Sequence, residues 1–165
     1  MGALKRSFVG LVWLFAAAGG LAQELNWVQV TSYLSARMHH AMAYDAARQQ
    51  VVLFGGEDGN TTFKLNDTWV WDGANWVQKF PATSPPERTV HAMAYDAARG
   101  QVVLFGGSGG GSLSNETWVW DGTDWVKKLP SMAPSARAYS AMAYDLVRER
   151  MVLFGGYGQR LLTGR

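Results

Sequence analysis

One stretch of this chain occurs three times with few changes. Its copies are His40-Ala-Met-Ala-Tyr-Asp-Ala-Ala-Arg-Gln-Gln-Val-Val-Leu-Phe-Gly-Gly56, His91-Ala-Met-Ala-Tyr-Asp-Ala-Ala-Arg-Gly-Gln-Val-Val-Leu-Phe-Gly-Gly107 and Ser140-Ala-Met-Ala-Tyr-Asp-Leu-Val-Arg-Glu-Arg-Met-Val-Leu-Phe-Gly-Gly156. Equivalent tyrosines Tyr44, Tyr95 and Tyr144 stand 51 and 49 residues apart. A second block keeps the beat, offset by 49: Asn66-Asp-Thr-Trp-Val-Trp-Asp-Gly-Ala-Asn-Trp-Val77 and Asn115-Glu-Thr-Trp-Val-Trp-Asp-Gly-Thr-Asp-Trp-Val126. Self-similarity at such a period commits the chain to copies of one supersecondary unit packed side by side.

Residues 1–22 stand outside this pattern. Lys5 and Arg6 precede a mostly apolar run from Phe8 to Ala18, and Gly20-Leu-Ala22 supplies a small-x-small cut before Gln23. That order predicts a secretory signal peptide, with a run too short for a comfortable membrane span. An uncleaved anchor or a buried helix is the alternative. The 165-residue chain carries 15 Lys plus Arg against 13 Asp plus Glu. Removing Lys5 and Arg6 leaves 13 against 13, so the mature chain is formally neutral. Neither nucleic acid nor a membrane surface is then an expected partner. The expected location is secreted or periplasmic. With no cysteine, disulfides and thiolate metal sites are excluded, and packing alone must hold an exported fold.

Each repeat reads as four short strands. His40 to Tyr44 is the first, Asp45-Ala-Ala-Arg48 turns the chain, and Gln50 to Phe54 is the second, stopped by Gly55-Gly56. Paired glycines suit positive φ, or a strand approaching too closely for a β-carbon. A polar loop over residues 57–66 leads to Thr68-Trp-Val-Trp71, whose alternation puts Trp69 and Trp71 on one face and Val70 on the other. Asp72-Gly73 signals a hairpin into a fourth strand beginning at Trp76-Val77. The proline-rich stretch Phe80-Pro-Ala-Thr-Ser-Pro-Pro-Glu87 links to the next copy. Leu25-Asn-Trp-Val-Gln-Val30 matches the fourth strand, so Trp27, Trp76 and Trp125 are each 49 apart. The expected layout is a leading fourth strand in residues 23–36, full units in 37–86 and 87–135, and a partial unit in 136–165.

Hydrophobic strand, glycine pair, variable loop and spaced aromatics together resemble the kelch repeat. The matching residues are Val51-Val-Leu-Phe-Gly-Gly56 with Trp69 and Trp76, Val102-Val-Leu-Phe-Gly-Gly107 with Trp118 and Trp125, and Met151-Val-Leu-Phe-Gly-Gly156. The resemblance implies an all-β fold, a kelch-type β-propeller in which each repeat is a four-stranded antiparallel blade around a central axis. Propellers usually close with four to eight blades. The 143 residues left after removing 22 from 165 hold fewer than three periods. A partial propeller is therefore expected: two full blades, a leading fourth strand and a third half-blade. It reads as the front of a longer propeller from a truncated or frameshifted coding sequence, with self-association through the open blade edge as the alternative.

Arg37, Arg88 and Arg137 each precede their repeat's tyrosine by seven residues. In kelch propellers that bind acidic peptides, arginines at this position are among the contacting groups. The resemblance thus implies a ring of forked donors for a carboxylate or sulfate, with Glu57, Ser108 and Tyr157 on the same face. Equally, the arginines suit structural bonds to loop carbonyls of a neighbouring blade. His40 and His91 occupy equivalent positions where the third copy has Ser140, and adjacent His39 must point the other way. Two histidines without a suitably spaced carboxylate make no metal site. Trp69, Trp76, Trp118 and Trp125 recur too regularly for a sugar platform and are expected between blades. Asn60-Thr-Thr, Asn66-Asp-Thr and Asn115-Glu-Thr fit the glycosylation sequon, the last two within the repeat itself.

The expected role is an exported binding or scaffolding module that recognises a protein or glycan through its blade loops, without catalytic residues, metal or cofactor. The alternatives are a fragment of a kelch-type enzyme or a non-functional product. Galactose oxidases and a sialic acid mutarotase resemble kelch propellers, but the oxidases' cysteine–tyrosine cofactor is impossible without cysteine. Fold alone does not choose among these functions.

Overall fold

A computed structural model describes residues 34–61 and 63–158. The expected signal peptide, the leading strand with Trp27, and Thr62 of the first sequon lie outside the described residues.

The first repeat builds β1 (Arg37–Met38), β2 (Ala41–Asp45), β3 (Gln50–Asp58), β4 (Lys64–Trp71) and β5 (Trp76–Lys79). β2, β3, β4 and β5 form a consecutive antiparallel meander, and β1 extends the inner edge by pairing with the far end of β3. The second repeat gives the same four-stranded order with β6 (Ala92–Asp96), β7 (Gln101–Phe105), β10 (Thr117–Trp120) and β11 (Trp125–Lys128). Between β7 and β10 a small hairpin joins β8 (Ser108–Gly109) to β9 (Ser112–Leu113). The third repeat pairs β12 (Arg137–Asp145) with β13 (Arg150–Gly158). Among the described residues this is an all-β partial propeller of two full blades and a two-stranded third.

Local chemistry accounts for the corners. Asp45 Oδ1 accepts the Arg48 N–H at 3.2 Å, and its Oδ2 takes the Arg48 guanidinium at 2.9 Å. Asp96 with Arg99 and Asp145 with Arg148 repeat both bonds. Asp72 likewise caps its own turn, accepting from the N–H groups of Ala74 and Asn75 at 2.8 Å.

The glycine pairs do not stop the second strand in the first and third repeats. β3 and β13 run through Gly55-Gly56 and Gly155-Gly156, and the β3–β4 register shifts between Phe54 and Gly56. β3 and β4 still pair at Glu57 and Lys64, so the polar loop is shorter than the sequence implies. What the pair admits is clearest in the second repeat, where β7 does end at Phe105 and Gly106 and Gly107 hold φ of +72° and +95°. A β-carbon on Gly106 would lie 2.6 Å from the Arg137 carbonyl oxygen, and one on Gly107 2.8 Å from the His91 β-carbon. The first glycine admits the next blade and the second admits its own innermost strand.

Neighbouring blades meet through backbone and core together. Gly56 N–H donates to Arg88 O at 3.0 Å, Arg88 N–H to Leu65 O at 3.1 Å and Val90 N–H to His39 O at 2.8 Å. The next junction repeats them: Gly107 to Arg137, Arg137 to Ser114, and Tyr139 to Val90, at 2.9, 3.1 and 2.9 Å. His39, Val90 and Tyr139 hold φ of 59°, 53° and 60°. That is unusual for any side chain and rare for a β-branched one. At Val90 and Tyr139 the left-handed kink aims the amide at the preceding blade.

Between the first two blades, Ala43, Val52, Phe54 and Val70 bury against Met93, Val102, Leu104, Trp118, Trp120 and Trp125. Trp125 is the wedge: its ring meets Phe54 edge-on at 5.2 Å, and its Nε1–H donates to the buried Thr68 hydroxyl at 2.9 Å. Thr68 of the second sequon therefore has an internal role. The second blade's Trp118, Trp120 and Trp125 are 6, 0 and 1% exposed, whereas Trp69, Trp71 and Trp76 of the first are half-buried. Phe105 and Thr117, equivalent to Phe54 and Thr68, line an apolar cleft of about 200 Å³ against Met142, Met151 and Leu153. Trp125→Ala should lower the unfolding free energy by about 3–5 kcal/mol. Urea melts of the variant and of the unsubstituted chain are the measurement.

Candidate functional site

The residues singled out at the start of each innermost strand converge on one structural device. The Arg88 side chain is 3% exposed. Its Nε–H donates to Pro86 O at 3.1 Å, one terminal nitrogen to Gly106 O at 3.0 Å, and the other to Glu116 Oε2 at 2.7 Å. Arg37 binds Gly55 O at 3.0 Å and both oxygens of Asp67 at 2.7 and 2.9 Å. Arg137 binds Gly155 O at 3.0 Å, with Ser135 O and Ser135 Oγ taking its other donors at 3.0 and 2.8 Å. Every arginine therefore holds the carbonyl of the first glycine in its own blade. The structural alternative read from the sequence placed that carbonyl in a neighbouring blade; only the arginine's backbone reaches there.

Asp67 and Glu116 were not among the residues picked from sequence. Their signal was present, since an acidic residue stands two positions before Trp69 and Trp118 in both complete repeats. Each carboxylate also accepts that indole N–H, at 2.6 and 3.1 Å. Lys127 Nζ adds an ion pair to Glu116 Oε1.

Glu57, Ser108 and Tyr157 lie beside this device. Strand pairing sets Met38 opposite Glu57, Thr89 opposite Ser108 and Ala138 opposite Tyr157, each one residue past its arginine. His39 Nδ1 approaches Glu57 at 3.8 Å, and the His39 ring meets Tyr139 edge-on at 6.2 Å across the three blades. Tyr139 and Tyr157 are 68 and 71% exposed. On the same rim, Pro86, Glu87, Arg88, Ser112, Leu113 and Asn115 help line a hollow of about 290 Å³ whose wall includes Glu116. Among the described residues no group of three or more His, Cys, Asp or Glu comes together as a metal site.

Two groups here are displaced from their ordinary ionisation. Burial, with the nearby Arg88 and His40 charges, pushes His91 down to about 3. For Glu116 burial opposes the charged form. Hydrogen bonds from Lys127, Arg88 and Trp118 outweigh it and bring the carboxyl down to about 2.

The fold and its repeated junctions can now be set beside known proteins. A family description covering the kelch-repeat domain of KLHDC2, KLHL20 and DRC7 matches residues 20–163. The chain belongs to the kelch-repeat family. Mei4-dependent protein 6 of Schizosaccharomyces pombe (strain 972 / ATCC 24843) is 32% identical over 81 residues, which cover 48% of this chain and 11% of that protein. The solved structure described as "Structure of YjhT" superposes with a TM-score of 0.59 at 17% identity, over 78% of this chain and 41% of that one. The kelch chain thus spans less than half the length of either relative.

Acid should unfold this kelch protein in two stages. An unfolded His91 takes a proton near its ordinary 6.5 while the folded one resists until about 3, so stability falls as pH drops through that window. Glu116, depressed from 4.5 to about 2, stabilises the fold above 4.5 and loses that contribution as pH falls toward 2. Melting temperatures from pH 8 to 3 should show His91→Asn flattening the onset and Glu116→Gln the later fall.

Proposed function

We propose that this chain is an exported kelch-repeat binding module whose ligand is a polypeptide segment held at the loop rim around the second blade. The observation that carries this reading is the hollow of about 290 Å³ bounded by Pro86, Glu87, Ser112, Leu113 and Asn115 on a floor of Arg88 and Glu116. It joins amide and hydroxyl groups, suited to a peptide backbone, to the apolar side chains of Pro86 and Leu113. Because Glu116 already pairs with Arg88, the floor presents little net charge. A neutral polar segment fits it better than the acidic one implied by the arginines alone. Ser108 and Tyr157 extend the contact surface along the same rim, while the side chains of Arg37 and Arg137 brace it from within. A protein ligand agrees with the use of kelch repeats as interaction modules, and the apolar run after Lys5-Arg6 supports export.

A phage-displayed random peptide library and a glycan array, probed with the same preparation, separate protein from carbohydrate recognition. Enriched peptides whose binding falls at least tenfold in Ser112→Arg, an exposed side chain on the β8–β9 hairpin, are expected, with a thermal melt showing that the variant keeps its fold. Glycan hits without peptide enrichment, or peptides indifferent to that change, would overturn the reading. Amino-terminal sequencing of the exported product should begin at Gln23.

A further inference from the structure

The two blade-to-blade junctions join one kind of face to another. The leading face offers Val52 and Phe54 in the first blade and Val103 and Phe105 in the second. The receiving face offers Met93, Val102, Leu104 and Trp125 in the second blade, and Met142, Met151 and Leu153 in the third. Among the described residues both kinds of face also occur with no blade against them. On the third blade, Val152 and Phe154 are 48 and 81% exposed, where Phe54 and Phe105 are 0 and 4%. On the first blade, Met42 and Tyr44 are 49 and 55% exposed, where the equivalent Met93 is 8%. The backbone is prepared in the same way. A β-carbon on Gly55 or Gly106 would collide with the next blade's arginine carbonyl, while Gly155, at the same positive φ, has nothing within 4 Å.

We infer that the third blade's face receives the first blade of a second copy of this chain, and that two copies close head to tail into one ring. The junction would repeat the two already present. Gly156 N–H would donate to the second copy's Arg37 carbonyl, and Tyr139 O would accept from that copy's His39 N–H. Phe154 would meet the receiving face around Met42 and Trp76. A heterologous interface closes when its rotation divides the circle. The described residues hold two full blades and a two-stranded third, so two copies supply six blade positions, inside the four to eight at which propellers close. The aligned part covers 41% of the YjhT structure, so two such arcs amount to 82% of that chain. The partner is thus a surface this chain itself carries, and the proposal does not depend on the peptide hollow.

The test is the mass of the 165-residue chain by size exclusion with light scattering, with circular-dichroism melts confirming that each variant folds. The chain should run at twice the mass of one copy, which is 18.1 kDa with residues 1–22 retained. Phe154→Glu removes the leading face and Met42→Glu the receiving face, both at positions exposed within a single copy, and each variant alone should be monomeric. An equimolar mixture of the two should regain a one-to-one species by native mass spectrometry, because one intact junction remains. Phe154→Leu should stay dimeric. A folded wild-type monomer, a Met42→Glu variant that remains a dimer, or a mixture that fails to pair would each overturn the inference.

Discussion

The structure depends on how closely one blade's backbone approaches the next. The carbonyl of Arg88 or Arg137 enters a space that a single methyl group would fill, and there it accepts the N–H of Gly56 or Gly107. Every other feature of the junction follows from that approach. It sets Trp125 against Phe54, brings Thr68 within reach of the indole N–H, and places the left-handed residues Val90 and Tyr139 where their amides find the preceding blade. The apolar burial supplies most of the driving force. The glycines decide the distance at which it is realised.

The arginine and its carboxylate work from the other side of the same glycine. Arg37 and Arg88 hold the carbonyls of Gly55 and Gly106 and are themselves held by Asp67 on the third strand of the first blade and by Glu116 immediately before that of the second. Three strands of one blade are thereby tied at the end where the neighbour docks. Burial alone would disfavour such charges. Glu116 remains ionised because Lys127, Arg88 and Trp118 all donate to it. The loops of this rim therefore rise from a braced floor.

Much of this was legible in the sequence, because recurrence in phase removes the ambiguity of single motifs. The strands, the aspartate corners and the wedge role of Trp125 come directly from the repeated words. The continuation of β3 and β13 through their glycines did not, since glycine marks both a strand's end and a bulge within it. Nor did the kink at Val90, where tertiary hydrogen bonds override the strong preference of a β-branched residue for negative φ. The arginines were visible as a recurring position, but their direction was not. A side chain of that length reaches its own blade or the next, and only coordinates separate the two. Asp67 and Glu116 were hidden within a sequon that drew attention to the asparagine instead.

The aspartate corners carry one more implication. Asp45, Asp96 and Asp145 each gather an amide and a guanidinium from three residues downstream, so the innermost hairpin of every repeat is closed by contacts nearly adjacent along the chain. Contacts of such short loop length form quickly and at small entropic cost. Each repeat thus has its own nucleus, and assembly can begin at any of them and spread outward to the tryptophan-bearing strands.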